Sequence, residues 1–164
     1  VALEHYLQVI ADKTGSLIAA SALFGAMIAG APQRIRGALA AYGEEIGLVF
    51  QLSDDIIDIT SDVTGKTPGT DLREGVPTLP TLLLEASRDP ADQPLKDLLA
   101  GDLSDDAALA EALAALRAHP VVEKARAEVR RHADLARQHL APLPEGEAKQ
   151  LLLRVCDDLV ERSA

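Results

Sequence analysis

The chain has 164 residues, and its 26 Asp and Glu against 16 Lys and Arg give a formal net charge of −10. That excess argues against a nucleic-acid partner, whose phosphate backbone requires a basic face. Two Tyr, two Phe and no Trp leave Leu, Ala, Val and Ile to build the core of one domain by close helix-on-helix packing, and a single cysteine, Cys156, excludes an internal disulfide or a multi-cysteine zinc site.

Residues 2–30 carry apolar side chains at helical spacing and end at Gly30 before Pro32. The chain opens on Val1 rather than Met, without a basic leader or cleavage pattern, so the numbering is expected to start inside a longer protein. The apolar stretch 17–31, rich in Ala and Gly, is shorter than the roughly 20 residues of a bilayer span and reads as a buried core helix. Pro32 suits the first turn of a second helix running to about Ile59. An irregular stretch, 60–80, comes next; it is longer than ordinary connections and therefore a functional suspect.

Helical patterns return at about 80–88, 91–100, 104–118, 120–140 and 145–162, punctuated by Pro120, Pro142 and Pro144. Ser104 reads as the N-cap of one of them, with Asp105 and Asp106 as first-turn acids favoured by the helix dipole. No strand-like alternation or fixed repeat is present. The class is all-α, a helical bundle, with no membrane span and a cytoplasmic, reducing location expected.

The chemistry concentrates in Phe50-Gln51-Leu52-Ser53-Asp54-Asp55-Ile56-Ile57-Asp58. On a helix Gln51, Asp54, Asp55 and Asp58 share one broad face, because they lie three, four and seven residues apart. No Lys or Arg occurs between Arg36 and Lys66 to neutralise those acids, and their neighbours are apolar. A solvated acidic turn is the plain alternative. Three carboxylates among Leu and Ile otherwise call for a cation, and oxygen ligands without His or Cys select a hard one, best Mg²⁺ shared with a substrate phosphate. Lys13-Thr14 upstream and the loop Gly65-Lys66-Thr67-Pro68-Gly69-Thr70-Asp71 downstream add point charges and glycines where a phosphate could approach.

Asp54-Asp55-x-x-Asp58 after Phe50-Gln51, then Gly65-Lys66-x-x-Gly69-x-Asp71 and Thr78-Leu79-Pro80, with Lys13-Thr14 before them, resembles the trans-isoprenyl diphosphate synthase family. The aspartates match its second aspartate-rich region. The resemblance covers residues 1–80, and beyond residue 81 the chain matches only a generic helical C-terminal part. It implies an isoprenoid-synthase bundle, of which residues 1–164 are about the C-terminal half of a single domain. It further implies condensation of isopentenyl diphosphate with an allylic diphosphate after Mg²⁺-assisted ionisation.

By that resemblance Asp54 is a direct Mg²⁺ ligand, and Asp55 and Asp58 are ligands or hold metal-bound water. Lys13 and Lys66 bind the allylic diphosphate, Thr14 and Gln51 orient substrate and stabilise the developing cation, and Asp71 orients Lys66 or metal-bound water. Val76 stands where many relatives carry a lysine. The first aspartate-rich motif and the isopentenyl-diphosphate-binding bases belong before Lys13, so the chain is expected to pair as a homo-oligomer or with that N-terminal half and to be inactive alone. A class I terpene cyclase and a non-catalytic helical subunit are the competing readings; the Lys-Thr pair and the Gly-Lys loop favour the synthase over the cyclase.

Other candidates have plainer explanations. Asp157-Asp158-x-x-Glu161, flanked by Arg154 and Arg162, reads as a solvated terminal face. His5, His119, His132 and His139 read as ordinary histidines, Cys156 as a buried structural thiol, and Lys124, Arg126, Arg130 and Arg131 as a solvated helix face.

Overall fold

The computed structural model describes residues 2–60 and 68–164. It contains α1 (Ala2–Ile10), a π-helical turn (Ala11–Gly15), α2 (Ser16–Ile28), α3 (Gln33–Thr60), α4 (Thr70–Arg73) and α5 (Leu79–Ala86). A 3₁₀ turn (Pro90–Asp92), α6 (Gln93–Leu99), α7 (Asp106–Ala118), α8 (Val121–His139) and α9 (Glu147–Glu161) complete it. Among the described residues there is no strand, and the all-α expectation holds.

The 28-residue α3 is the axis of the bundle. Val49, Leu52, Ile56 and Ile59 on one side of it are at most 1% exposed. They belong to the same core as Val121, Ala125, Val129, Ala133 and Ala136 of α8, which lies along α3. Alanines at three of those α8 positions let the two backbones approach, which is how a core nearly without aromatics reaches full packing density. Burying each large aliphatic side chain contributes about 1.5–3 kcal/mol. Tyr42 ties α3 to α9 by donating to the Leu152 carbonyl at 2.9 Å. His132 and Glu45 join α8 to α3 at 2.7 Å.

The segment from α1 through α2 runs antiparallel to α3 and meets it at small residues. A Cβ on Gly43 would lie 2.7 Å from the Ala19 Cα, and one on Gly47 2.5 Å from the Gly15 Cα. Backbone touches backbone at both crossings. The helix then ends as Gly30 and Pro32 foretell. Gly30 takes φ +69°, the left-handed region open to glycine, while the Ala31 N–H bonds the Ala26 carbonyl at 2.9 Å and the Gly30 N–H the Met27 carbonyl at 3.0 Å. The Pro32 carbonyl receives the Ile35 and Arg36 amides, so α3 starts one residue beyond it.

Two expectations need correction. Residues 17–31 do not form a buried helix: of α2 only Ala26 is buried, while Leu17, Phe24 and Ile28 are 70%, 60% and 89% exposed. One face of α2 packs on α3 through small residues, and the opposite face has no partner among the described residues. Residues 2–28 form one helical run, long and apolar enough by length and composition to cross a membrane, but broken in register by the π turn. Finally, Asp105 rather than Ser104 caps α7, its carboxylate accepting the Ala108 N–H at 2.9 Å. A carboxylate there also meets the positive end of the helix dipole.

Candidate active site

The antiparallel register of α1–α2 against α3 builds the site. Ile18 and Ala19 lie against Gly43, and Thr14 and Gly15 against Gly47. Continued along the same line, Tyr6 meets Asp55. Lys13 and Thr14 therefore sit in the π turn directly beside the helical turn that leads to Gln51. One extra residue in that turn rotates the helix beyond it, and such bulges recur at functional sites. Lys13 is exposed and Thr14 half-buried.

The three aspartates do not share one environment. Asp54 is partly exposed and pairs with the guanidinium of Arg162, which lies just past α9 and also sits 4.8 Å over the Phe50 ring. Asp58, partly exposed, accepts the Asp71 N–H on Oδ2 at 3.3 Å, while its own carbonyl accepts the Gly69 N–H at 2.8 Å. Gly69 has φ +75°, so the chain can turn back onto α3 there.

Asp55 is only 2% exposed and points inward. Its Oδ2 accepts the Tyr6 hydroxyl and, at 2.8 Å, the Leu79 N–H, and its Oδ1 accepts the Gln51 side-chain amide at 3.4 Å. Burial pushes its carboxyl up to about 6, against the lowering effect of those three donors. Burial and the neighbouring Asp55 charge likewise raise the Tyr6 phenol, so it stays protonated and donates.

Thr78-Leu79-Pro80 has a local task. Thr78 caps α5, with the Thr81 Oγ1 accepting the Thr78 N–H at 3.0 Å, and Pro80 occupies the first turn. That cap leaves the Leu79 N–H, an orphan donor of the helix start, aimed at Asp55.

Asp54, Asp58, Asp71, Gln51 and the Lys13-Thr14 turn are thus gathered along one stretch of α3, and Asp55 faces away into the protein. Lys66 lies outside the described residues. Among the described residues no group of three or more Asp, Glu, His or Cys side chains converges as a metal cage. Two carboxylates one turn apart remain, which suits a cation completed by waters and substrate phosphates. Arg162 on Asp54 shows that a positive group fits there. Val76 is exposed and, with Leu72, Leu82, Leu99, Glu85 and Lys96, lines a cavity of about 250 Å³.

Arg162 and Tyr6 carry no site role in the sequence reading. Arg162 reads there as part of the acidic C-terminal face, yet it leaves Asp157 to Arg137, at 2.5 Å, and crosses to α3. Tyr6 lies seven residues before Lys13, two helical turns away, and that spacing is the only local signal for it. The remaining histidine and cysteine readings agree with the structure. His119 pairs with Asp92 at 3.0 Å, His132 with Glu45, and Cys156 is fully buried.

Comparison with known proteins adds four findings. The family model for polyprenyl synthetase matches residues 1–116. The chain is 43% identical over 162 residues to the nonaprenyl diphosphate synthase of Mycobacterium tuberculosis, covering 98% of this chain and 48% of that protein. It is 38% identical over 154 residues to heptaprenyl diphosphate synthase component 2 of Geobacillus stearothermophilus, covering 92% and 47%. Its structure superposes on geranylgeranyl pyrophosphate synthase from Corynebacterium glutamicum, crystallised with calcium and isoprenyl diphosphate. There the TM-score is 0.90 and the identity 42%, over 98% of this chain and 50% of that one. The chain spans about half the length of the curated relatives it matches.

Proposed function

We infer that this chain, which belongs to the polyprenyl synthetase family, forms one wall of a prenyltransferase site that binds the diphosphate of an allylic substrate. The observation that carries the reading is the pair Asp54 and Asp58, one turn apart and partly exposed on α3, with a cationic group already held on Asp54. Matches to named prenyl diphosphate synthases favour this reading over a terpene cyclase.

Asp54 and Asp58 would hold Mg²⁺, hard oxygen donors for a hard ion. Bound there, the cation would neutralise charge that grows on the departing diphosphate. Lys13, on the exposed rim of the π turn, and Lys66 would bind the same diphosphate, acting where negative charge develops. Cleavage of the allylic C–O bond leaves an allylic cation, toward which the oxygens of Thr14 and Gln51 would be turned. The double bond of isopentenyl diphosphate attacks it, and loss of a proton gives the longer trans-polyprenyl diphosphate. Asp71 would orient Lys66, and its N–H fixes Asp58.

The first acidic cluster and the bases for isopentenyl diphosphate would come from the other half of the synthase. The exposed Leu17, Phe24 and Ile28 face of α2 supports that partner, since the relatives are about twice as long. The test is diphosphate release by the complete protein with isopentenyl diphosphate and geranyl or farnesyl diphosphate. Asp54→Ala should cut turnover by about a thousandfold with the helical spectrum unchanged. Near-normal turnover would remove Asp54 from the site.

A further inference from the structure

Asp55 receives donors from two other helices, Tyr6 on α1 and Leu79 on α5, and from Gln51 one turn back on α3. On an α-helix successive residues are about 100° apart, so Asp54 and Asp58 are separated by only about 40° and both lie to one side of Asp55. Fixing Asp55 therefore fixes the direction in which the other two point. The stretch from Asp71 to Leu79 is docked on the same helix at both its ends, because Asp58 accepts the Asp71 N–H and Asp55 the Leu79 N–H.

We propose that Tyr6 is a positioning residue for the cation site: its hydroxyl holds the Asp55 carboxylate inward, and this sets the rotation of α3 at which Asp54 and Asp58 both face the cation. The proposal rests on the reading of Asp54 and Asp58 as cation ligands. Without the hydroxyl, a buried carboxylate loses one of its donors and gains by turning toward water. Among the described residues the water-facing side of the helix here is the one that carries Asp54 and Asp58, both partly exposed, and a third carboxylate turned there would disturb their geometry. Groups bonded directly to metal ligands typically change affinity by 10- to 100-fold, and Tyr6, which acts one residue further back through Asp55, belongs at the low end of that range.

The experiment measures Mn²⁺ binding to the complete protein with inorganic diphosphate present, by electron paramagnetic resonance, for wild type, Tyr6→Phe and Asp54→Asn. Thermal midpoints are recorded on the same samples. Tyr6→Phe keeps the ring and its packing, and it should weaken Mn²⁺ binding about tenfold at temperatures well below its midpoint. Asp54→Asn should abolish the tight site. A lowered midpoint with unchanged Mn²⁺ affinity in Tyr6→Phe, while Asp54→Asn loses the ion, would overturn the positioning role and leave the site assignment standing. Undiminished Mn²⁺ binding in Asp54→Asn would overturn the site assignment and the proposal with it.

Discussion

Arg162, just past the last helix, pairs with Asp54 on α3 across 108 residues of sequence. Its guanidinium also covers the Phe50 ring, so the chain terminus is fastened to the acidic helix by charge and by stacking. Both partners are about one-third exposed, and the pair is worth about 0.2–1 kcal/mol. A cation entering at Asp54 must displace it. Arg162→Ala should therefore raise Mn²⁺ affinity of the diphosphate-free protein by up to about fivefold and speed hydrogen exchange in the last turn of α9. Titration of both proteins at low ionic strength, where the pair is strongest, checks this. Equal affinities would mean that Arg162 leaves Asp54 at no cost.

The crossing of the π turn over α3 gives a sharper stability test. A methyl at Gly47 would press on the Gly15 Cα and N, both backbone atoms that cannot rotate away. Gly47→Ala is expected to destabilise by about 3 kcal/mol or more in urea unfolding, and to displace Lys13 and Thr14 with the turn. Gly37 lies on the same helix, exposed and with nothing near its would-be Cβ. Gly37→Ala should stabilise by about 0.5–1 kcal/mol through helix propensity alone. The opposite signs separate close packing from propensity within one helix.

Ser53 lies on the same helix and obeys a different principle. It is fully buried, and its Oγ has no hydrogen-bond partner among the described residues. A hydroxyl stripped of water without compensation costs about 1–3 kcal/mol. Ser53→Ala should raise stability by about 1 kcal/mol, read as an unchanged slope and a higher midpoint in urea. Loss of stability would show that the hydroxyl is satisfied in solution.

Much of this architecture is written locally in the sequence. Apolar periodicity with Gly30 and Pro32 marks the turn between α2 and α3, and the helical pattern that returns at about residue 80 marks α5. The π turn is not legible, because Ala11 to Gly15 holds nothing that forbids an ordinary helix. The backbone contact of Gly15 with Gly47 is what accompanies it. Asp54 and Asp55 are chemically identical neighbours, so no local pattern assigns one to solvent and the other to the interior. That choice is made by α1, α5 and the chain terminus, which are 49, 24 and 108 residues away in the contacts of Tyr6, Leu79 and Arg162.

The inward acid also sets a pH dependence. The Asp55 carboxyl stands at about 6 in the folded protein against 3.8 as its ordinary value, with burial as the leading cause. Between those values the folded state binds more protons than the unfolded one, so stability falls as pH rises through that window. Below about 4 the neutral acid's contribution is fully present, and above about 6 it is lost, an amount on the order of 3 kcal/mol. Asp92, Asp102 and Glu123 are shifted the opposite way by their hydrogen bonds. The difference between wild type and Asp55→Asn isolates the one group. Asn remains neutral and can still accept from Tyr6 and Leu79, while a flipped Gln51 amide meets its NH₂. In metal-free urea unfolding, Asp55→Asn should gain on wild type steadily from pH 4 to pH 7, then level off. A difference that is flat across this window would show that the carboxylate carries no burial penalty. A difference of the opposite slope would place Asp55 beside a cation rather than in the apolar interior.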